Sequence, residues 1–138
     1  MKMNPVVHFE MPAEDRKRMI EFYAKTFGWE ANQLGPEMGN YVVVMTAESD
    51  KNGPLEKGRI NGGFYDRFDK TNAPSIVIAV DDVKEHKQKV IDAGGKFLGG
   101  QGAEFDDIPG VGLYASFVDT EGNRVGVLQP SGDMGGTK

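Results

Sequence analysis

Near the start of the chain, histidine and glutamate alternate with apolar residues. The apolar positions are Val7, Phe9 and Met11, and His8 and Glu10 lie between them. Because side chains in a β-strand alternate between two faces, this pattern predicts a strand with His8 and Glu10 on one polar face. A carboxylate next to an imidazole favours the charged ring, so we expect the pKa of His8 to exceed the roughly 6.5 of an isolated imidazole. The two residues are candidates for catalytic acid–base groups, or else for polar groups in a hydrated groove.

Four other residues in three segments are candidates for binding a ligand. Asn61 and Gly63 belong to an Asn-Gly-Gly sequence, which either lets a ligand approach the backbone closely or forms a β-bulge that bends the sheet. Tyr114 follows a Pro-Gly-Val-Gly loop, where it would present its hydroxyl to a cavity or pack in the core. Gln129 ends the last predicted strand and is a further cavity candidate.

The composition excludes several classes of function. The 138 residues fit one domain, and a net charge of −5 disfavours binding to a nucleic-acid backbone. With no cysteine, the chain cannot form a disulfide, a thiolate metal site or a cysteine nucleophile. No apolar stretch has the length of a signal peptide or of a membrane span. We therefore expect a cytoplasmic protein that binds neither nucleic acid nor membrane.

Signals for a helix occur twice along the chain. Asp15 and Gly28 are the predicted N-cap and end of the first helix, and Asp82 and Gly94-Gly95 bound the second. The sequence thus predicts helices near residues 14–27 and 82–93. The first helix carries an apolar stripe that we expect to pack in the core: Met19, Phe22, Tyr23 and Phe27. Alternating or apolar runs predict strands at 5–11, 29–33, 41–46, 59–65, 75–80, 96–98, 113–118 and 124–129, with a loop at 48–58.

The two halves of the chain follow the same plan. With an offset of 67 residues, His8 falls on Ser75, Asp15 on Asp82 and Gly28 on Gly95. Each half then contains a strand, a helix and three strands, so we predict an α+β fold of two βαβββ modules, at about 5–66 and 74–130. The modules form one domain over residues 1–130, whose curved mixed sheet encloses a concave cavity, and residues 131–138 are a predicted disordered tail.

Several short sequences, in the same order, resemble the vicinal oxygen chelate superfamily, which includes glyoxalase I, bleomycin-resistance proteins and extradiol dioxygenases. The similarity runs from residue 5 to about 130 and is closest to the small single-chain, glyoxalase-like branch. It rests on these segments: His8-Phe-Glu-Met-Pro-Ala-Glu-Asp15, Phe22-Tyr23, Phe27-Gly-Trp-Glu30, Ile60-Asn-Gly-Gly63, Val80-Asp-Asp-Val83, Ala93-Gly-Gly95, Pro109-Gly-Val-Gly112 and Phe117-Val-Asp-Thr-Glu-Gly-Asn123.

The resemblance implies four metal-ligand positions, one on each of four strands. Metal enzymes of the superfamily carry His or Gln, Glu, His and Glu there, and this chain carries His8, Asn61, Ser75 and Gly126. Only His8 matches, and no carboxylate is present to balance the charge of a divalent ion. We therefore expect no bound metal and no other cofactor, and we add Ser75 to the candidate ligand-binding residues.

The resemblance implies that the chain binds a small organic molecule in its cavity as a homodimer. The sequence leaves open whether the protein is an enzyme; if it is one, a glyoxalase-like lyase or isomerase is expected. A metal-dependent lyase, isomerase or dioxygenase with differently placed ligands is one alternative. A sequestering protein of the drug-resistance type is another, and it would need aromatic cavity walls.

Overall fold

The computed structural model describes residues 2–131, which form two compact units. The first unit comprises residues 8–75, and the second comprises residues 2–7 and 76–131. In each unit one α-helix accompanies a mixed β-sheet, which confirms the predicted α+β class and the repeated order of elements. The predicted disordered tail, apart from Ser131, lies outside the described residues, and the prediction of a single domain stays a prediction.

The elements follow the predicted order closely. The first half of the chain contains β1 (Val6–Ala13), α1 (Arg16–Phe27), β2 (Glu30–Gln33), β3 (Val42–Met45), β4 (Ser49–Asp50), β5 (Gly53–Pro54) and β6 (Asn61–Asp66). The second half contains β7 (Ser75–Ala79), α2 (Val83–Asp92), β8 (Lys96–Gly99), β9 (Asp106–Ile108), β10 (Gly112–Val118) and β11 (Arg124–Pro130). There are two differences. The predicted loop at 48–58 contains the small hairpin of β4 and β5, and β9 is a short strand that was not predicted.

The helix boundaries arise from the predicted capping residues. The Asp15 carboxylate accepts a hydrogen bond from the backbone N–H of Arg18, and Gly28 ends α1 with a φ of 74°. The Asp82 carboxylate caps α2 in the same way, through the backbone N–H groups of Lys84 and Glu85. No helix within residues 2–131 is long and apolar enough to cross a membrane.

In the first unit the strand order is β2-β3-β6-β1, with β1 parallel to β6 and the other pairs antiparallel. Its core consists of Ala13, Val42, Val44 and Phe64, with Met11, Met19, Ile20, Tyr23 and Trp29 packed against them. The predicted core role of Phe22 and Phe27 was wrong, because these side chains are 55% and 61% exposed. Successive helix residues are rotated by about 100°, so Phe22 lies to the side of the buried face that Tyr23 occupies. Phe27 is the last residue of α1, and one side of its ring contacts Trp29.

The second unit repeats this arrangement, with strand order β7-β11-β10-β8, β9 paired to β10, and β7 parallel to β11. Its core is formed by Val80, Val83, Ala115 and Val127. The Gln129 side-chain oxygen accepts a hydrogen bond from the backbone N–H of Val83 at 3.0 Å, so this residue fastens the start of α2 to β11.

Candidate active site

Three polar side chains meet on the sheet face of the first unit that lies opposite α1. The Tyr41 hydroxyl donates to Glu10 Oε2 at 3.1 Å and lies 3.3 Å from His8 Nε2. Phe9, between the two β1 residues, instead contacts Trp29, with ring centroids 5.6 Å apart. The predicted shared face of His8 and Glu10 is therefore confirmed. Their predicted catalytic role stays a prediction, and Tyr41 joins them as a third candidate.

The hydrogen bonds of Tyr41 determine where the imidazole proton lies. A phenol has a single proton, and Tyr41 donates it to Glu10. The phenolic oxygen then accepts from His8, which places the ring proton on Nε2 and leaves Nδ1 with a lone pair. The site thus combines a carboxylate, a phenol and a basic ring nitrogen.

Burial determines the charge of this imidazole. Loss of water around the ring lowers the pKa of His8 below its ordinary value of 6.5, and the opposing effect of the Glu10 charge is smaller. The expectation of a raised pKa was wrong, because the alternating sequence revealed the neighbouring carboxylate but not the extent of burial. At pH 7 the ring is neutral and can act as a base or as an acceptor.

We expect an NMR titration of the imidazole protons to give His8 a midpoint below 6.5. The chain has two histidines, so His86→Gln would leave His8 as the single signal. The pKa of His8 is lower in the folded chain than in the unfolded chain. The free energy of unfolding should therefore be highest above pH 6.5 and should fall as the pH drops through the folded pKa. Urea unfolding from pH 7.5 to 5 would measure this loss in His86→Gln. A midpoint above 6.5 would contradict the buried, neutral ring.

The glycines of β6 provide room for aromatic rings on both faces of the sheet. A β-carbon at Gly62 would lie 2.5 Å from the Phe9 ring, and one at Gly63 would lie 1.9 Å from the Tyr41 hydroxyl. The strand pairs with β1 without interruption from Asn61 to Asp66. The alternative of a β-bulge at this sequence is therefore wrong. The predicted role of Gly63 in letting a ligand approach the backbone stays a prediction, and the space over its α-carbon on this face holds the Tyr41 side chain.

Asn61 binds protein groups with both ends of its side-chain amide. Its Oδ1 accepts from the Thr46 N–H and its Nδ2 donates to Ser49 Oγ, each at 2.9 Å. These bonds attach the segment after β3 to β6, next to the polar face that carries the candidate site. A role for Asn61 in binding a ligand stays a prediction.

Thr46 and Ser49 also line a cavity of about 390 Å³ in the first unit. Two carboxylate residues, Glu30 and Glu48, and the exposed Leu55 are part of its wall. None of the residues predicted from sequence to bind a ligand contributes to this wall.

The remaining predicted ligand-binding residues lie in three places. Ser75 is the first residue of β7, and the Gln129 side chain accepts from the first residue of α2, as described above. Tyr114 lies on β10 with its ring over Gly126, where an added β-carbon would come within 2.8 Å of the ring. Ligand binding by these three residues stays a prediction.

A family model described as the Glyoxalase/Bleomycin resistance protein/Dioxygenase superfamily matches residues 6–127. The chain belongs to this superfamily. A search of curated proteins found no significant match.

Solved structures share the superfamily's fold at low sequence identity. The hypothetical protein BH1468 from Bacillus halodurans C-125 is 14% identical, with a TM-score of 0.63 over 92% of this chain and 94% of that one. A single-substitution variant of methylmalonyl-CoA epimerase from Streptomyces coelicolor, in complex with 2-nitronate-propionyl-CoA, is 13% identical, with a TM-score of 0.66 over 95% and 97%. The epimerase from Mycobacterium tuberculosis is 10% identical, with a TM-score of 0.65 over 95% and 91%. At these identities the likeness concerns the fold alone.

The residues at the superfamily's ligand positions do not fit a divalent ion. On β6, the residue equivalent to Gly126 is Gly63 and not Asn61, because Gly63 pairs with Glu10 as Gly126 pairs with Val77. The resemblance implies a carboxylate position at Gly126, and this equivalence extends it to Gly63; each of the two glycines is covered by a tyrosine ring. Within residues 2–131 no cluster of three or more His, Asp or Glu side chains has the arrangement of a metal site.

Proposed function

We propose that this protein binds a small organic molecule at His8, Tyr41 and Glu10 and that it does so without a metal. The observation that carries the proposal is the Tyr41 hydroxyl held between an imidazole nitrogen at 3.3 Å and a carboxylate oxygen at 3.1 Å. A small number of polar groups in fixed positions is what orients a small ligand in its site. The homodimer and the cytoplasmic location predicted from the sequence stay predictions.

The charges of the site favour a neutral ligand with hydrogen-bond donors. His8 is neutral at pH 7 because burial lowers its pKa, and Glu10 contributes a carboxylate. A ligand N–H or O–H would be attracted by these acceptors, whereas a ligand carboxylate would be repelled by Glu10. A neutral hydroxy-ketone has the required donor and a polarised carbonyl.

Acid–base chemistry on such a ligand follows from the same arrangement. His8 Nδ1 would take a proton from the carbon next to the ligand carbonyl, and the C–H electron pair would move to form an enolate. The imidazolium would be stabilised by the Glu10 carboxylate through Tyr41, and it would return a proton to the same carbon. The outcome is exchange of that hydrogen with solvent, or inversion where the carbon is a stereocentre. The fold that the chain shares with methylmalonyl-CoA epimerases supports a reaction of this class.

The drug-resistance alternative stays a prediction. It would need aromatic cavity walls, and the cavity of about 390 Å³ described above is lined by aliphatic, polar and acidic residues. We propose the tyrosine-centred site because hydrogen bonds hold its three polar side chains together.

Binding of hydroxyacetone, with lactate as its anionic counterpart, would test this proposal. We expect saturation-transfer NMR to detect hydroxyacetone on the wild-type protein, with lactate at least about tenfold weaker. Tyr41→Phe removes the hydroxyl that joins His8 to Glu10 and should weaken hydroxyacetone binding by about tenfold. Tyr23→Phe, which changes a tyrosine of α1 packed on the opposite face of the sheet, is the matched control and should bind as the wild type does.

Two results would contradict the proposed function. One is equal binding of hydroxyacetone by the wild type and Tyr41→Phe. The other is stoichiometric nickel, zinc, iron or manganese in protein purified without a histidine tag, since the proposal requires no metal. Deuterium incorporation into hydroxyacetone in D₂O, catalysed by the wild type and lost in His8→Ala, would distinguish an enzyme from a binding protein.

A further inference from the structure

Tyr41 reaches Glu10 across an intervening strand. Tyr41 directly precedes β3, Glu10 lies on β1, and β6 runs between these two strands. Neighbouring strands are about 4.8 Å apart, so the phenol must pass over β6 to bring its hydroxyl to β1. The residue that it crosses is Gly63, which pairs with Glu10 on one side and with Val43 on the other.

The crossing leaves no space for a side chain on β6. A β-carbon at Gly63 would lie 1.9, 2.2 and 2.4 Å from three atoms of the Tyr41 side chain, far inside van der Waals contact. The conflict involves the ring as well as the hydroxyl, so a small rotation of the phenol cannot relieve it. Gly63 is also fully paired on both sides, which restricts movement of its backbone.

The same arrangement occurs in the second unit. In the first unit, Tyr41 lies two residues before Val43, which pairs with Gly63. In the second unit, Tyr114 lies two residues before Ser116, which pairs with Gly126. A β-carbon at Gly126 would lie 2.8 and 2.9 Å from two atoms of the Tyr114 ring and hydroxyl. A tyrosine lying over a glycine of the last strand, β6 or β11, is therefore a feature of both modules.

The two modules differ in the partners that they offer to the tyrosine. Val77 stands at the position equivalent to Glu10, and Ser75 at the position equivalent to His8. At these two equivalent positions the first unit has a carboxylate and an imidazole, whereas the second has an apolar side chain and a hydroxyl.

We propose that Gly63 is a positioning residue of the candidate site, because its missing side chain forms the space in which the Tyr41 ring lies between His8 and Glu10. The consequence of Gly63 for ligand binding rests on the proposed function. Its effect on the position of Tyr41 is independent of any ligand, so an experiment can contradict one claim without contradicting the other.

A double-mutant cycle tests the contact without any ligand. We expect Gly63→Ala to lower the thermal unfolding midpoint by roughly 3–10 °C in the wild-type background, from overpacking against the ring. In the Tyr41→Ala background, which removes the ring, the same change should lower it by less than about 2 °C. Gly102→Ala is the matched control, because a β-carbon there meets no atom within 4 Å and should leave the midpoint unchanged.

The tautomer of His8 is a second measurement, and a general loss of stability would not change it. Long-range ¹H–¹⁵N spectra of the wild type should show His8 with its proton on Nε2. The same spectra of Gly63→Ala and of Tyr41→Phe should show a mixture of the two tautomers, and those of Gly102→Ala should match the wild type.

Each outcome decides the proposal. Equal midpoint shifts in both backgrounds would overturn it, as would an unchanged His8 tautomer in Gly63→Ala. If Gly63→Ala alone does not fold, folding of Gly63→Ala/Tyr41→Ala would support the proposal, and failure of both would overturn it. Loss of hydroxyacetone binding plays no part in these tests, so a wrong ligand class would leave their result unaffected.

Discussion

Replacing Phe9 by alanine should lower the free energy of unfolding by about 2–4 kcal/mol, near the lower end of what buried phenylalanines show. The ring packs against Trp29 and over Gly62, which has no side chain of its own to fill the space that the ring leaves. His8→Ala, one residue earlier on the same strand, should cost about 1 kcal/mol or less. It removes one hydrogen bond to Tyr41 from the face opposite α1.

Urea unfolding of the two variants at pH 7.5 would measure this contrast. His8→Ala should keep its stability and lose hydroxyacetone binding, whereas Phe9→Ala should lose stability. If His8→Ala unfolded the protein and Phe9→Ala were tolerated, the two faces of β1 would be exchanged and the site would be wrongly assigned.

The second large effect is expected at the start of β10. Gly112 has a φ of 142°, and a β-carbon there would lie 2.1 Å from the carbonyl oxygen of Gln129. Because the clash is with backbone of the paired strand β11, it cannot be relieved by a change of rotamer. Gly112→Ala should therefore cost more than about 3 kcal/mol, the sum of backbone strain and lost strand pairing.

Gly110 offers a matched comparison two residues away. Its φ of 77° is also positive, but a β-carbon there meets no atom within 4 Å. Gly110→Ala should cost only the conformational strain, about 1 kcal/mol. Equal losses in the two variants, measured by urea unfolding, would show that strain alone and not the contact with Gln129 makes glycine necessary at position 112.

The fold was largely predictable because its signals are local. Asp15 and Asp82 cap their helices, and the 67-residue offset between the halves indicated the repeated module. The exposure of Phe22 and Phe27 could not be predicted, since helical spacing defines a stripe but not how much of it the sheet covers.

The site was only half predictable, for a related reason. Alternation along one strand placed His8 and Glu10 on the same face, but it contains no information about the strand two positions away that supplies Tyr41. The equivalence of Gly63, and not Asn61, to Gly126 could not be predicted either, because the pairing of β6 with β1 is visible only in the folded chain. The pKa of His8 likewise depends on burial by residues distant in sequence.

The second unit is discontinuous in sequence, and this has a consequence for the order of folding. Its N-terminal part contributes an ion pair between Lys2 and Asp81, and the backbone N–H of Ala79 donates to the carbonyl of Pro5. These contacts close a loop of more than 70 residues, whereas the first unit is one continuous segment. During synthesis the first unit can therefore fold as soon as residue 75 has emerged from the ribosome. Residues 2–7 can make their contacts only after the residues that follow position 75 have been synthesised. A ribosome-bound chain should thus pass through a state in which the candidate site exists before the second unit is complete.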